Sequence, residues 1–293
     1  MNSAKLPGVA EHSLERQNNK GMVNSELSGK VAIVTGAGRM RGIGRATAVI
    51  LARMGSHVVV TGTGRNPETF PNDEKEVGWR DIDSTVEEIQ AKGVRGLPLV
   101  VDVSSEIDVR RMIDSTIEEF GRLDIMVNNA AAPWGPDRVP VLDLPAEIFK
   151  DVVDIKLMGT FYCSKAAAGQ MVKQGAGGRI VNLSSTMGKS GHANTSAYNA
   201  ANFAVDGFTQ ALAKEMAEHD ITVNSVCPGL TETARMDPMG REDRWNERLK
   251  GIPMNRVGTD QEIGELIGFL CSPRAAYITG QAINVNGGSL TER

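Results

Sequence analysis

The feature that most constrains this chain is an alternation that begins at Lys30: short runs rich in β-branched residues take turns with amphipathic stretches. The apolar runs fall at 31–34, 57–60, 97–101, 125–127, 180–183, 222–226 and 282–285. Stretches of helical period lie between them at 45–54, 84–92, 108–120, 148–172, 198–218 and 262–270. A strand that returns through a helix pairs in parallel with its neighbour, and parallel strands are covered on both faces, which is why they read as nearly continuous apolar runs. The pattern predicts an α/β fold: a single-domain Rossmann-like doubly wound parallel sheet with helices on both faces. With 293 residues, 41% of them hydrophobic, the chain can bury one large core.

Three segments depart from the even spacing. Residues 1–28 are polar, without apolar periodicity, and are expected to form a flexible arm outside the domain at 29–293. Residues 65–83 make an unusually long connection that carries Pro67, Pro71, Asp73, Glu74, Lys75, Glu76 and Trp79. Residues 234–256, rich in Met, Arg and Glu and including Trp245, read as a lid over a substrate.

Composition excludes several classes. The net charge is −4 and no basic block could track a phosphate backbone, so nucleic acid is not an expected partner. No apolar run reaches the roughly 20 residues of a membrane helix, and the expectation is a cytoplasmic protein. Cys163, Cys227 and Cys271 are isolated, and the four histidines lack helical metal-ligand spacing, so no catalytic metal is expected.

The first strand ends in Thr35-Gly36-Ala37-Gly38-Arg39-Met40-Arg41-Gly42-Ile43-Gly44, and a helical pattern begins at Arg45. A strand, a glycine turn and a helix amino terminus present backbone N–H groups to a pyrophosphate, and glycine permits the close approach. A mere tight turn would use glycines too, but its place at the first strand of an alternating chain favours a dinucleotide site. At the end of the second strand an acid would bind the adenosine ribose, whereas a cation would accept a 2′-phosphate. Thr61-Gly62-Thr63-Gly64-Arg65 has no acid there, and Arg39, Arg41 and Arg65 could converge on that pocket, so NADP(H) is favoured over NAD(H), unless these are ordinary surface arginines.

Further along stand Asp102-Val103, Asn128-Asn129-Ala130, Ser185 thirteen residues before Tyr198, Pro228-Gly229 with Thr233, and Asn286-Gly287-Gly288. With the glycine turn these six elements, in this order, resemble the short-chain dehydrogenase/reductase family over about residues 30–288. The resemblance implies that Asp102 and Val103 flank an adenine and that Asn129 and Ala130 pack beside a ribose. It places Pro228, Gly229 and Thr233 at a nicotinamide carboxamide. It implies Ser185 as the polariser of a substrate oxygen, Tyr198 as acid/base, and a homodimer or homotetramer built on the long helices. The expected activity is interconversion of a ketone and a secondary alcohol by an NADP(H)-dependent carbonyl reductase or alcohol dehydrogenase. Alternatives are reduction of an activated C=C or C=N bond, or nucleotide binding without turnover. Trp134, Met187, His192, Leu230, Met236 and Trp245 would face a small-molecule substrate of medium size, an apolar set with one titratable side chain.

Hydride transfer to a carbonyl leaves an alkoxide that a nearby acid must quench. A free tyrosine titrates near pH 10, and bringing one to about 7 takes roughly 4 kcal/mol of phenolate stabilisation, usually from a cation. In the family that cation is a lysine four residues after the tyrosine; this chain has Asn202 there. Lys156, on the preceding long helix, stands where the family commonly carries an asparagine. The two residue types are exchanged. Either Lys156 reaches the Tyr198 pocket from the opposite helix, or it faces solvent and the site is impaired or retuned. The glycine turn is also two residues longer than T-G-x-x-x-G-x-G, Ala131 replaces the glycine of N-N-A-G, and the 65–83 insertion is atypical.

Overall fold

The structure, a computed structural model, describes residues 25–240 and 243–292. In chain order the elements are β1 (Val31–Val34), α1 (Ile43–Arg53), β2 (His57–Gly62), α2 (Asn72–Glu76), α3 (Ile82–Gln90), β3 (Gly96–Val100), α4 (Glu106–Phe120), β4 (Ile125–Asn128), α5 (Ala146–Val153) and α6 (Gly159–Gln174). There follow β5 (Gly178–Leu183), α7 (Ser196–Met216), β6 (Ile221–Pro228), β7 (Thr231–Glu232), α8 (Asp243–Lys250), β8 (Gly258–Thr259), α9 (Asp260–Cys271) and β9 (Ala282–Val285).

Seven strands form one sheet in the order β3-β2-β1-β4-β5-β6-β9, and every neighbouring pair is parallel. Successive side chains of a strand point to opposite faces, and the core divides accordingly. Ala32, Val34, Val58 and Val60 enter one cluster with Leu51 of α1, Ile89 of α3 and Ile267 of α9. Ile33 and Val59 enter the other with Met112 of α4 and Met171 of α6. The expected doubly wound sheet is what the chain adopts. The order reverses between β1 and β4, so the crevice at the carboxyl ends of those strands is the place a ligand enters such a sheet.

Helix ends follow local chemistry. Ser105 caps α4 by accepting from Asp108 N, and Gly121 closes it in the left-handed region. Thr259 and Glu262 form a reciprocal capping box at the start of α9.

Two expectations are corrected. The long helical stretch at 148–172 is not one continuous α-helix: a π-helical turn, Asp154–Met158, joins α5 to α6. The extra residue of such a turn rotates the following side chains, and this one carries Lys156. The arm was expected to reach residue 28, but Leu27 is buried and its N–H donates to Met54 O at 2.9 Å, so the domain begins earlier. The rest of the expected arm, residues 1–24, lies outside the described residues. Among the described residues no helix is long and apolar enough to cross a membrane. All three cysteines are buried, and burial pushes each thiol up to about 12.

Candidate active site

A cavity of about 460 Å³ opens at the carboxyl ends of β1, β4, β5 and β6. The sheet brings to it one turn from each strand: the glycine turn after β1, Asn129 and Ala130 after β4, Ser184 and Ser185 after β5, and Gly229 after β6. Every residue assigned to nucleotide binding or catalysis from sequence lines it except Asn202.

The glycine turn is shaped for close approach. Gly36 has φ +67°, and a Cβ there would stand 2.9 Å from Ala130 Cα. Asn129 locks β4 to this turn: its Nδ2 donates to Thr35 O and Gly36 O, and its N–H donates to Thr35 Oγ1. No side chain caps α1 at Gly42. An uncapped helix amino terminus beside a glycine turn fits a pyrophosphate.

The two extra residues of the turn are braced by the insertion. Trp79 Nε1 donates to Gly38 O at 2.6 Å and Met40 N–H donates to Glu74 Oε1 at 2.9 Å, while Thr85 of the following helix α3 donates through Oγ1 to Ala37 O. The insertion also corrects the reading that no acid stands at the end of β2. Asp81, at φ +56°, places its carboxylate beside Gly38 and Gly62, so near that a Cβ on Gly38 would lie 1.7 Å from Asp81 Oδ1. A non-glycine residue in that region stores about 1–3 kcal/mol of strain, held here by three contacts from Arg65. The acid is sixteen residues beyond the arginine in sequence and folds back onto it.

The three arginines have different occupations. Arg65 is tied to Glu74 at 3.0 Å and to Asp81, with its guanidinium over Phe70. Arg41 bridges the insertion to the turn at Ala234–Met239, donating to Asp73 at 2.6 Å and to Asp237 at 2.6 Å, and these carboxylates hold it above its ordinary range. Its carbonyl accepts from Ala234 N–H. Arg39 has neither a hydrogen bond nor an ion pair among the described residues, and burial, then the nearby Arg65, pull it below its ordinary range.

At the other end of the cavity stand Ser185, Tyr198 and Lys156. Ser185 Oγ accepts from Met187 N–H at 3.1 Å. Asn199, unremarked in the sequence, ties the 185–190 loop to α7: its Nδ2 donates to Met187 O at 2.6 Å and to Ser190 O at 2.9 Å. Lys156 is 3% exposed and faces the cavity rather than solvent. Burial, then Arg235, bring its ammonium down to about 8, with Asp206 and Cys227 opposing. Asn202 is fully buried on α7; its Nδ2 donates to Tyr198 O at 2.8 Å and its Oδ1 has no hydrogen-bond partner. Asp206 is held above the usual carboxylate range by burial, against hydrogen bonds from Ser225 and Ser184.

The wall over Tyr198 differs from the apolar lining expected from sequence. Of the expected substrate-facing residues Met236 lines the cavity; Met187, His192, Leu230 and Trp245 do not. Trp134 stacks on arginines instead: Arg138 lies 4.3 Å from its ring centroid, Arg248 5.8 Å and Arg235 6.0 Å. In sequence these arginines are scattered over a loop, a turn and α8, and nothing local distinguishes them from surface cations.

Known proteins share this architecture. A family model described as enoyl-(acyl carrier protein) reductase, of the short-chain alcohol dehydrogenase type, matches residues 36–289. A 3-oxoacyl-[acyl-carrier-protein] reductase of Synechocystis sp. is 37% identical over 89% of this chain and 97% of that protein. A short-chain dehydrogenase/reductase of Aspergillus oryzae is 39% identical over 89% of this chain and 95% of its own length. The crystal structure of acetoin dehydrogenase from Enterobacter cloacae superposes with a TM-score of 0.73 at 37% identity, covering 89% of this chain and 95% of that one. That of NAD+-bound xylitol dehydrogenase gives 0.78 at 30% identity, over 89% and 99%.

Proposed function

We propose that this chain, which belongs to the short-chain dehydrogenase/reductase family, interconverts a ketone and a secondary alcohol with NADP(H), using Tyr198, Ser185 and Lys156. Membership makes it an NAD(P)(H)-linked oxidoreductase acting on CH–OH or C=O. The observation that carries the finer reading is the buried, cavity-facing Lys156 in the same pocket as Tyr198 and Ser185.

When bound, a nicotinamide supplies or accepts the hydride. Glycine at 36 and 44 leaves room for its phosphates, and a Cβ on Gly44 would meet Asn129 Nδ2 at 2.5 Å. In the direction of reduction Tyr198 gives its proton to the nascent alkoxide, and Ser185 donates a hydrogen bond to the same oxygen. Lys156 supplies the positive charge that favours the phenolate, doing from the π turn what residue 202 cannot do as an amide. Asn202 holds the Tyr198 carbonyl and so keeps that turn of α7 in place.

The acid at the end of β2, Asp81, is taken up by Arg65, and Arg41 is committed to Asp73 and Asp237, so the preference for a 2′-phosphate rests on Arg39. A partly buried guanidinium below its ordinary range gains from an added anion. Wild type should show a higher kcat/KM with NADPH than with NADH, and Arg39→Ala should erase the difference; equal use of both by wild type refutes the NADP(H) reading. For the chemistry, Tyr198→Phe should lower kcat by about 100-fold or more while nucleotide binding persists. Unchanged turnover in that variant refutes the assignment.

The description of the matching family model favours a second reading, reduction of an activated C=C bond. Following an enone with NADPH separates the two, since loss of its ultraviolet absorbance without alcohol formation marks C=C reduction. For assembly, Phe203 is 46% exposed on α7 and offers an apolar contact for a second copy in a dimer or tetramer. Sedimentation of wild type and Phe203→Glu tests this.

A further inference from the structure

Proton transfer at Tyr198 calls for one cation, yet the wall above it holds several. The Arg138 guanidinium carbon lies 4.3 Å from the Tyr198 ring centroid and 4.3 Å from that of Trp134, between the two rings. Arg235 lies 5.1 Å from the Tyr198 ring and lines the cavity. These residues come from separate segments, the loop after β4 and the turn before α8, so their meeting is a product of the fold.

The charge here is balanced only in part, by Asp137. Arg138 has a side chain only 10% exposed, and its Nε, Nη1 and Nη2 are all buried without a hydrogen bond. Asp137 stands 3.4 Å from Nε and itself keeps an unpartnered buried oxygen. Stacking on aromatic faces returns part of the cost of burying a guanidinium but satisfies none of its N–H groups. Burial holds Arg138 below its ordinary range, with Asp137 opposing and Arg235 adding to the effect. Arg235 donates through Nε to Ala132 O at 3.0 Å, and no described residue accepts from its Nη atoms. Unspent donors and excess positive charge beside a reacting ring define a site for an anion, and the planar fork of a guanidinium matches a carboxylate.

We propose that the substrate turned over at Tyr198 is an oxo acid or hydroxy acid whose carboxylate is received by Arg235, with Arg138 as the second cation behind it. This rests on the reading of Tyr198 as the proton donor and adds the substrate class. Carboxylate and carbonyl would lie a few bonds apart, because both guanidinium carbons sit within about one ring's width of the tyrosine. The lid turn that carries Arg235 is then also the segment that recognises the substrate.

The test compares NADPH-linked reduction of short oxo acids with reduction of their methyl esters. Wild type should favour the acids by roughly 100-fold in kcat/KM, and Arg235→Gln should bring the acid-to-ester ratio down by a similar factor. Esters used as well as acids by wild type, or a ratio unmoved by Arg235→Gln, overturns the proposal. A second measurement needs no turnover: calorimetric titration of the nucleotide-loaded protein with butyrate and with butyramide. Butyrate bound in preference to butyramide by wild type, with the preference lost in Arg235→Gln, sustains the carboxylate site even where no compound is reduced, in which case only the hydride-transfer reading fails. No preference for butyrate overturns the site.

Discussion

Lys156→Met removes an ammonium that is costly to keep buried. The residue is buried, and its pKa falls from an ordinary 10.5 to about 8. That drop corresponds to roughly 3 kcal/mol of differential stability between protonated and neutral forms, with the attraction to Asp206 already included. Because the folded pKa is depressed, the unfolded chain holds the proton more tightly, and stability rises with pH between about 8 and 10.5. Below about 8 the penalty is present in full and does not vary. Methionine keeps an unbranched apolar stem without the charge. Lys156→Met should therefore unfold at higher denaturant than wild type at pH 7, by up to about 3 kcal/mol, and the advantage should vanish as the pH approaches 10.5. Urea melts at fixed protein concentration between pH 6.5 and 10.5 measure this, and fixing the concentration removes any contribution from assembly. The same variant should lose turnover. A variant less stable than wild type at pH 7, or a stability difference that ignores pH, would refute the claim that the ammonium is desolvated.

Three further outcomes are expected. Turnover in wild type that depends on the Lys156 ammonium should be full below pH 8 and decline as the pH rises through about 8, as a pH–rate profile with saturating nucleotide would show. Gly38→Ala, whose Cβ would collide with Asp81 Oδ1, should displace Asp81 and cost about 2–4 kcal/mol of stability together with nucleotide affinity, read by thermal melting and fluorescence titration. Arg41→Gln unties Asp73 from Asp237 and should speed proteolysis within 234–256 while lowering overall stability by only about 1 kcal/mol, since its side chain is a third exposed.

Much of this protein was legible in its sequence because the signals are local. The period of the apolar runs placed seven strands and their order of appearance, since burial on both faces leaves a β-branched run and burial on one face leaves a helical stripe. The glycine turn, Ser185, Tyr198, Lys156 and Asn202 could be singled out for the same reason: each is a residue type at a fixed distance along the chain from its neighbours. What tertiary structure alone decided is charge. Asp81 returns to the end of β2 from beyond the insertion, Arg41 and Arg65 are taken up by Asp73, Asp237, Glu74 and Asp81, and Arg138 and Arg235 meet over Tyr198. Periodicity is set by each side chain's relation to the nearest face of the core, whereas ion pairing depends on which loops of unlike sequence position fold together. A reading of the chain alone could therefore find the sheet and the candidate site residues, but the partners of its arginines became visible only when the loops closed over the cavity.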